Sequence, residues 1–144
     1  MNVKQISVFL ENKAGTMLEL TNVLAEKGID MRALSLAETS DFGIVRLIVD
    51  DVYEAATVLK DAGFIHTVSS VVGVCIPDEP GGLNKVLQFL ADASINVEYM
   101  YAFLGGTSTK HAYMIFHVQD TKAAAAALRS KGIQLVQQEE IANL

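Results

Sequence analysis

The sequence has a single cysteine, Cys75, and no cluster of basic residues. One thiol excludes an intrachain disulfide framework and a multi-thiolate metal site, and makes the cytoplasm the expected compartment. The 11 Lys and Arg residues are outnumbered by 17 Asp and Glu, for a formal charge of −6. Nucleic acid is therefore not expected as a partner, since neutralising phosphates takes grouped cations. Long apolar runs are missing as well. The strongest, Val71–Ile76, falls far short of the roughly 20 residues that span a bilayer, so no membrane association is expected. Met1-Asn2-Val3-Lys4-Gln5 lacks the basic start and apolar run of a signal peptide. What is present is a 144-residue chain, 51% hydrophobic and 19% charged. That composition suits one globular domain, or two small ones.

The chain repeats itself. Asn12-Lys13-Ala14-Gly15-Thr16-Met17 stands 66 residues before Asp78-Glu79-Pro80-Gly81-Gly82-Leu83. The same offset sets Leu20, Leu24, Ala25 and Ile29 on Val86, Leu90, Ala91 and Ile95, and Asp30 on Asn96. Later the offset becomes 69, pairing Asp51 with Asp120, Leu59 with Leu128 and Gly63 with Gly132. Three extra residues around Gly105-Gly106-Thr107-Ser108-Thr109, read as a hairpin turn, account for the change. The expected units are 1–70 and 71–144, with no Pro/Gly/Ser-rich linker between them.

Each unit reads strand, helix, strand, strand, helix, strand. Ile6, Val8 and Leu10 alternate as in a strand over Gln5–Leu10. Thr16-x-x-Glu19 offers a capping box for a helix with Met17, Leu20, Val23 and Leu24 on one side, stopped at Gly28. Strands over Met31–Ala37 and Gly43–Val49 follow, then a helix opened by Asp51-x-x-Glu54, closed at Gly63 and succeeded by a strand near Phe64–Val68. In the second unit, strands are expected near Val72–Ile76, Val97–Leu104, His111–Val118 and Ile133–Gln138. Its helices are expected over Leu83–Ala93 and Thr121–Lys131. This βαββαβ order predicts an α+β fold of two ferredoxin-like units, each an antiparallel sheet with its helices on one face. Tyr99, Tyr101 and Phe103 alternate with Met100 and Leu104, so several strands are apolar on both sides. The face away from the helices is therefore expected to be at least partly covered, by the other unit or another subunit.

The first turn of each unit is the strongest functional candidate. A strand ends, a polar side chain (Asn12 or Asp78) enters the turn, and Gly15 or Gly81 lets the backbone bend into a helix N-terminus. N–H groups there can receive a carboxylate, and Asn12 or Asp78 can hold an ammonium. The same residues also suit a purely structural turn. Asp30 and Asn96, at the entry to the second strands, are expected close to the first turns, where such a polar pair could grip one small zwitterion between the units. Catalytic and metal residues are not expected. His111 and His117 sit about 20 Å apart on a strand, too far to share an ion. Gly105–Lys110 lacks the Gly-Lys-Ser/Thr ending of a phosphate loop. An RNA-binding platform of Tyr99, Tyr101, Phe103 and Tyr113 lacks the accompanying cations.

The chain resembles a pair of ACT domains, small-molecule-binding modules of amino-acid metabolism. Phe9-Leu10-Glu11-Asn12-Lys13-Ala14-Gly15-Thr16-Met17 with Gly28-Ile29-Asp30-Met31, and Ile76-Pro77-Asp78-Glu79-Pro80-Gly81-Gly82-Leu83 with Ser94-Ile95-Asn96-Val97, carry the likeness. The family's usual turn is Asn/Asp-x-Pro-Gly-x-Leu, followed by Gly-Ile/Val-Asn-Ile. The resemblance implies ligand contact at Asn12 and Asp78, a second polar contact at Asp30 and Asn96, and close backbone approach at Gly15 and Gly81. Ala14, Thr16 and Met17, and Pro80, Gly82 and Leu83, complete the two turns. Ala14 replaces the common Pro and Asp30 the common Asn, while Asp78 is acidic, so the two sites differ in charge. The expected protein is a cytoplasmic regulatory module, without catalysis or cofactor, that binds a small amino acid or related carboxylate. A homodimer and a separate effector protein are the expected partners. Two alternatives stay open: an interaction or assembly module of the same fold without ligand, and a small-metabolite enzyme with an unrecognised site.

Overall fold

The structure is a computed structural model that describes residues 2–105 and 110–144. Its elements are β1 (Val3–Glu11), α1 (Thr16–Glu26), β2 (Met31–Glu38), β3 (Phe42–Val49), α2 (Val52–Asp61) and β4 (Ile65–Pro77). They continue with α3 (Gly82–Asp92), β5 (Tyr99–Ala102), β6 (His111–His117), α4 (Thr121–Ser130), β7 (Gln134–Val136) and a 3₁₀ helix (Gln138–Asn143). Packing divides the chain into two units. One is Lys4–Ser69 with Ile141–Asn143, and the other is Ser70–Glu140 with the first residues of the chain and Leu144.

In the first unit the strand order is β2-β3-β1-β4, with β3 antiparallel to both β1 and β2. Ile6, Val8 and Leu10 share one face with Val45, Leu47 and Val49, and pack on Leu20 and Leu24 of α1 and Ala55 and Leu59 of α2. In the second unit β4 lies between β7 and β6, and β5 pairs with β6, all antiparallel. There Val72, Val74, Ile76 and Phe116 pack on Val86 and Leu90 of α3 and Ala124 and Leu128 of α4. The period-2 and helical patterns thus place one apolar face of each sheet under two helices. Residues that alternate to the opposite face are buried as well, including Ile48 in the first unit and Cys75, Tyr101 and Ile115 in the second. The face away from the helices is therefore partly removed from water in each unit, as the doubly apolar strands predict, although Phe9 on that face stays exposed.

Three local expectations change. The strands expected at Phe64–Val68 and Val72–Ile76 are one strand, β4, because nothing between Ser69 and Val71 breaks the extended chain. The strands expected at Val97–Leu104 and Ile133–Gln138 shorten to β5 and β7. The capping box at Thr16-x-x-Glu19 does not form. Gly15 is the N-cap, and the Thr16 hydroxyl donates instead to the Glu11 carbonyl at 2.9 Å. Asp51 and Asp120 do cap α2 and α4, each accepting at 3.0 Å from the amide three residues on. The hairpin turn expected at 105–109 lies, from residue 106, outside the described residues. Among the described residues no helix is long and apolar enough to cross a membrane.

Gly28 leaves α1 at φ +65, and its repeat counterpart Ser94 leaves α3 at φ +58. An L-residue pays about 1–2 kcal/mol for that conformation, while glycine gives back part of the gain in unfolded-chain entropy. Ser94→Gly is therefore expected to stabilise the protein by roughly 0.5–1 kcal/mol. The readout is a higher urea midpoint at unchanged slope.

Candidate functional site

At the first turn, Asn12 is fastened to the β2–β3 hairpin. Its backbone N–H donates to Asp41 O at 3.1 Å, and its side-chain amide donates to Glu38 Oε2 at 3.0 Å and Thr39 O at 3.1 Å. Both amide protons are spent, so only the amide oxygen remains to meet a ligand. Gly15 then takes φ +92 and opens α1 with no side-chain cap. Ala14 and Gly15 are exposed, while Thr16 and Met17 are half-buried.

The second turn has the same backbone and different chemistry. Asp78 donates its backbone N–H to Lys110 O at 2.9 Å, and among the described residues no group pairs with its exposed carboxylate. Gly81, at φ +85, opens α3, again without a side-chain cap, and Pro80 beside it is exposed. Gly82 is buried against the strand it has just left, and a Cβ there would stand 2.3 Å from the Pro77 carbonyl oxygen. Leu83 packs into the core of the second unit. Uncapped, α1 and α3 keep first-turn N–H groups available, whereas α2 and α4 give one such group to an aspartate.

Within one unit the two polar positions do not meet. Glu11 pairs with Phe42 at one end of β3, and Met31 with Val49 at the other, seven residues or about 24 Å away. Asn12 and Asp30 thus lie at opposite ends of the sheet. The second unit is alike: Pro77 pairs with His111 and Tyr99 with His117, which separates Asp78 from Asn96 by about 20 Å. The reason is topological. β1 and β2 both run antiparallel to β3, so the helix between them returns the chain to the starting end.

Asp30 belongs to a polar cluster of its own. Its backbone N–H donates to Asp50 Oδ1 at 3.0 Å, and Arg32 Nη1 reaches its carboxylate at 3.1 Å. Asn96 lines a depression of about 270 Å³ with Ser94, Glu98, Gln119 and Asp120. Glu98 lies 3.2 Å from His117, which stacks on Tyr99 at 4.6 Å between ring centroids. Among the described residues no three His, Cys, Asp or Glu side chains are grouped to hold a metal ion.

A larger cavity, about 400 Å³, adjoins the second turn. Glu79, Pro80, Gly81, Gly82 and Lys85 form one wall, Lys131–Gln134 the other, with Cys75, Pro77 and His111 completing it. Burial pushes the Cys75 thiol above its ordinary pKa, a hydrogen bond with Tyr113 partly offsets this, and the Glu140 carboxylate adds to the rise. The thiol is therefore held neutral, a small apolar lining group. A matching cavity of about 300 Å³ adjoins the first turn, lined by Phe9, Glu11, Lys13, Thr16, Glu19 and Gly63–Ile65. Sequence reasoning singled out the turns and missed Glu19, Lys85 and Lys131 beside them. The signal was there: 19 and 85 share the 66-residue offset.

A family model described as an ACT domain pair matches residues 1–144. Among curated proteins none matches the sequence. Protein BT0572 from Bacteroides thetaiotaomicron is 38% identical over 100% of this chain and 98% of that one, with a TM-score of 0.92. The ligand-free regulatory subunit of aspartate kinase from Thermus thermophilus shares the fold at TM-score 0.64 and 19% identity, over 90% of this chain and 91% of that one. The corresponding subunit from Thermus flavus does so at 0.60 and 16%, over 90% and 92%. The full-length match, the duplicated βαββαβ units and the paired glycine turns agree, and the chain belongs to the ACT domain pairs, non-catalytic regulatory modules that bind small molecules such as amino acids.

Proposed function

We propose that this chain senses a small amino acid or related carboxylate at its glycine turns, chiefly the second. The observation that carries the reading is the difference between the turns. At both, an uncapped helix N-terminus offers N–H groups to a carboxylate. At the first, Asn12 is committed to Glu38 and Thr39, and the adjoining cavity carries Glu11 and Glu19. At the second, no group among the described residues pairs with the exposed carboxylate of Asp78, which suits an ammonium. Asn12, Ala14, Gly15, Thr16 and Met17 then serve mainly as the structural counterpart of Asp78, Pro80, Gly81, Gly82 and Leu83. Asp30 and Asn96 lie at the far end of their own sheets. They contact the same ligand only if a different unit or subunit supplies them.

The ligand acts by population shift. It stabilises the arrangement that orders the turn, and that preference is read by the chain's own oligomer, a homodimer in the simplest case, or by an effector protein in the cytoplasm. The test is calorimetric titration with the common amino acids on the wild type, Asn12→Ala, Asp78→Ala and the double variant. A saturable heat is expected, with affinity falling at least tenfold for Asp78→Ala and little for Asn12→Ala. Undiminished binding by the folded double variant overturns these sites, and no heat with any amino acid overturns the reading.

A further inference from the structure

The two cavities beside the turns occupy the same place in their units and carry opposite charge. Cys75, Pro77, Glu79, Gly82 and Lys85 stand 66 residues after Phe9, Glu11, Lys13, Thr16 and Glu19. Gly132, Ile133 and Gln134 stand 69 after Gly63, Phe64 and Ile65. The first cavity sets two carboxylates, Glu11 and Glu19, against the single ammonium of Lys13, and Lys13 is paired with Glu11 at 3.2 Å. The second sets two ammonium groups, Lys85 and Lys131, against the single carboxylate of Glu79, with His111 at its edge.

Neither lysine has a carboxylate partner among the described residues. Lys131 has only the Phe89 ring, 5.9 Å from its Nζ to the centroid. In a protein of net charge −6, two unpaired cations that share one concave surface form a local reversal of the overall field. The volume, about 400 Å³, is that of a small-ligand site. The neutral Cys75 thiol adds no competing negative charge.

We infer that the second-unit cavity selects a dicarboxylic amino acid, a ligand with one acid group more than the turn alone requires. This rests on the proposed binding of an amino acid at that turn. The α-carboxylate meets the open N–H groups at the start of α3, and Glu79 on the cavity wall, with Asp78 next to it in the turn, takes the ammonium. The side-chain carboxylate lies against Lys85 and Lys131. The first cavity, with its excess of carboxylates, repels the same ligand, so one molecule binds per chain.

The test titrates the full chain with L-aspartate, L-glutamate, L-asparagine and L-glutamine, following heat and the backbone amide signals of Gly81, Gly82 and Gly132. Each acid has an amide counterpart of nearly the same shape, so charge alone separates the pairs. At least one acid is expected to bind tenfold or more tightly than its amide, to move those three signals, and to weaken as salt rises. Lys85→Glu, which installs the residue that the first unit carries at position 19, is expected to remove that preference without unfolding the protein. Lys131→Gln is expected to reduce it. Equal binding of acids and amides at the same amides overturns the inference and leaves amino-acid binding standing. Acid binding that Lys85→Glu leaves unchanged overturns it as well. No binding by these four or any other common amino acid overturns the underlying reading itself.

Discussion

Gly82→Ala is expected to destabilise the protein by about 3 kcal/mol, the upper end of the range for overpacking a close-packed site. The added Cβ would stand 2.3 Å from the carbonyl oxygen of Pro77. Both sides of that clash are backbone, one at the end of β4 and one in the first turn of α3, so no side chain can rotate away. The repeat makes the result unexpected from sequence, because Thr16 occupies the same position in the first unit and fits. There the helix start leaves room for the side chain, whose hydroxyl bonds the corresponding carbonyl, that of Glu11, at 2.9 Å. In the second unit the backbone has moved into the space the threonine fills. Gly82→Thr should therefore fail like Gly82→Ala, while Thr16→Gly should cost only roughly 1 kcal/mol, for one lost hydrogen bond and a freer unfolded chain. Urea denaturation of the three variants checks the pattern. A Gly82→Ala protein as stable as the wild type would show that α3 is free to recede from β4.

Phe116→Ala should cost about 3–5 kcal/mol, the range for emptying a buried aromatic site. Phe116 is only 1% exposed, and lies in β6 between partners Val72 and Met100, facing the helices. Val72, Val86, Leu90, Ala124 and Leu128 belong to the same cluster and are themselves nearly or fully buried. Residues of α3 and α4 are packed in that cluster against strands fixed by their ladder pairing, so the neighbours cannot collapse into the void completely. Phe116→Leu keeps most of the volume and should lose less than half as much. Equal midpoints for the wild type and Phe116→Ala would mean that the cluster does not hold the unit together.

Much of the fold is legible along the chain. The 66- and 69-residue offsets, the alternation of Ile6, Val8 and Leu10, and the aspartates at 51 and 120 are local facts, and local physics turns them into strands, helices and caps. The glycines at 28 and 63 end their helices at φ +65 and φ +83, as residues without a Cβ should. Thr16 shows where such reading stops. Its sequence suits a capping box, yet Gly15 takes the cap and the hydroxyl turns back to the strand, because tertiary placement of the helix start competes with its local signal.

The candidate site divides in the same way. By itself the sequence determines that two turns exist, that each carries a polar residue before a glycine, and that their charges differ. Only the tertiary structure separates Asn12 from Asp30 by the length of β3, since that distance depends on the direction in which each strand runs. It alone sets Lys131 across one cavity from Lys85, because residues 46 apart border the same space only when α3 and α4 lie on one sheet. Periodicity fixes which face a residue takes within its own element. The electrostatic character of a cavity is set by which elements border it, and no single segment of the chain contains that information.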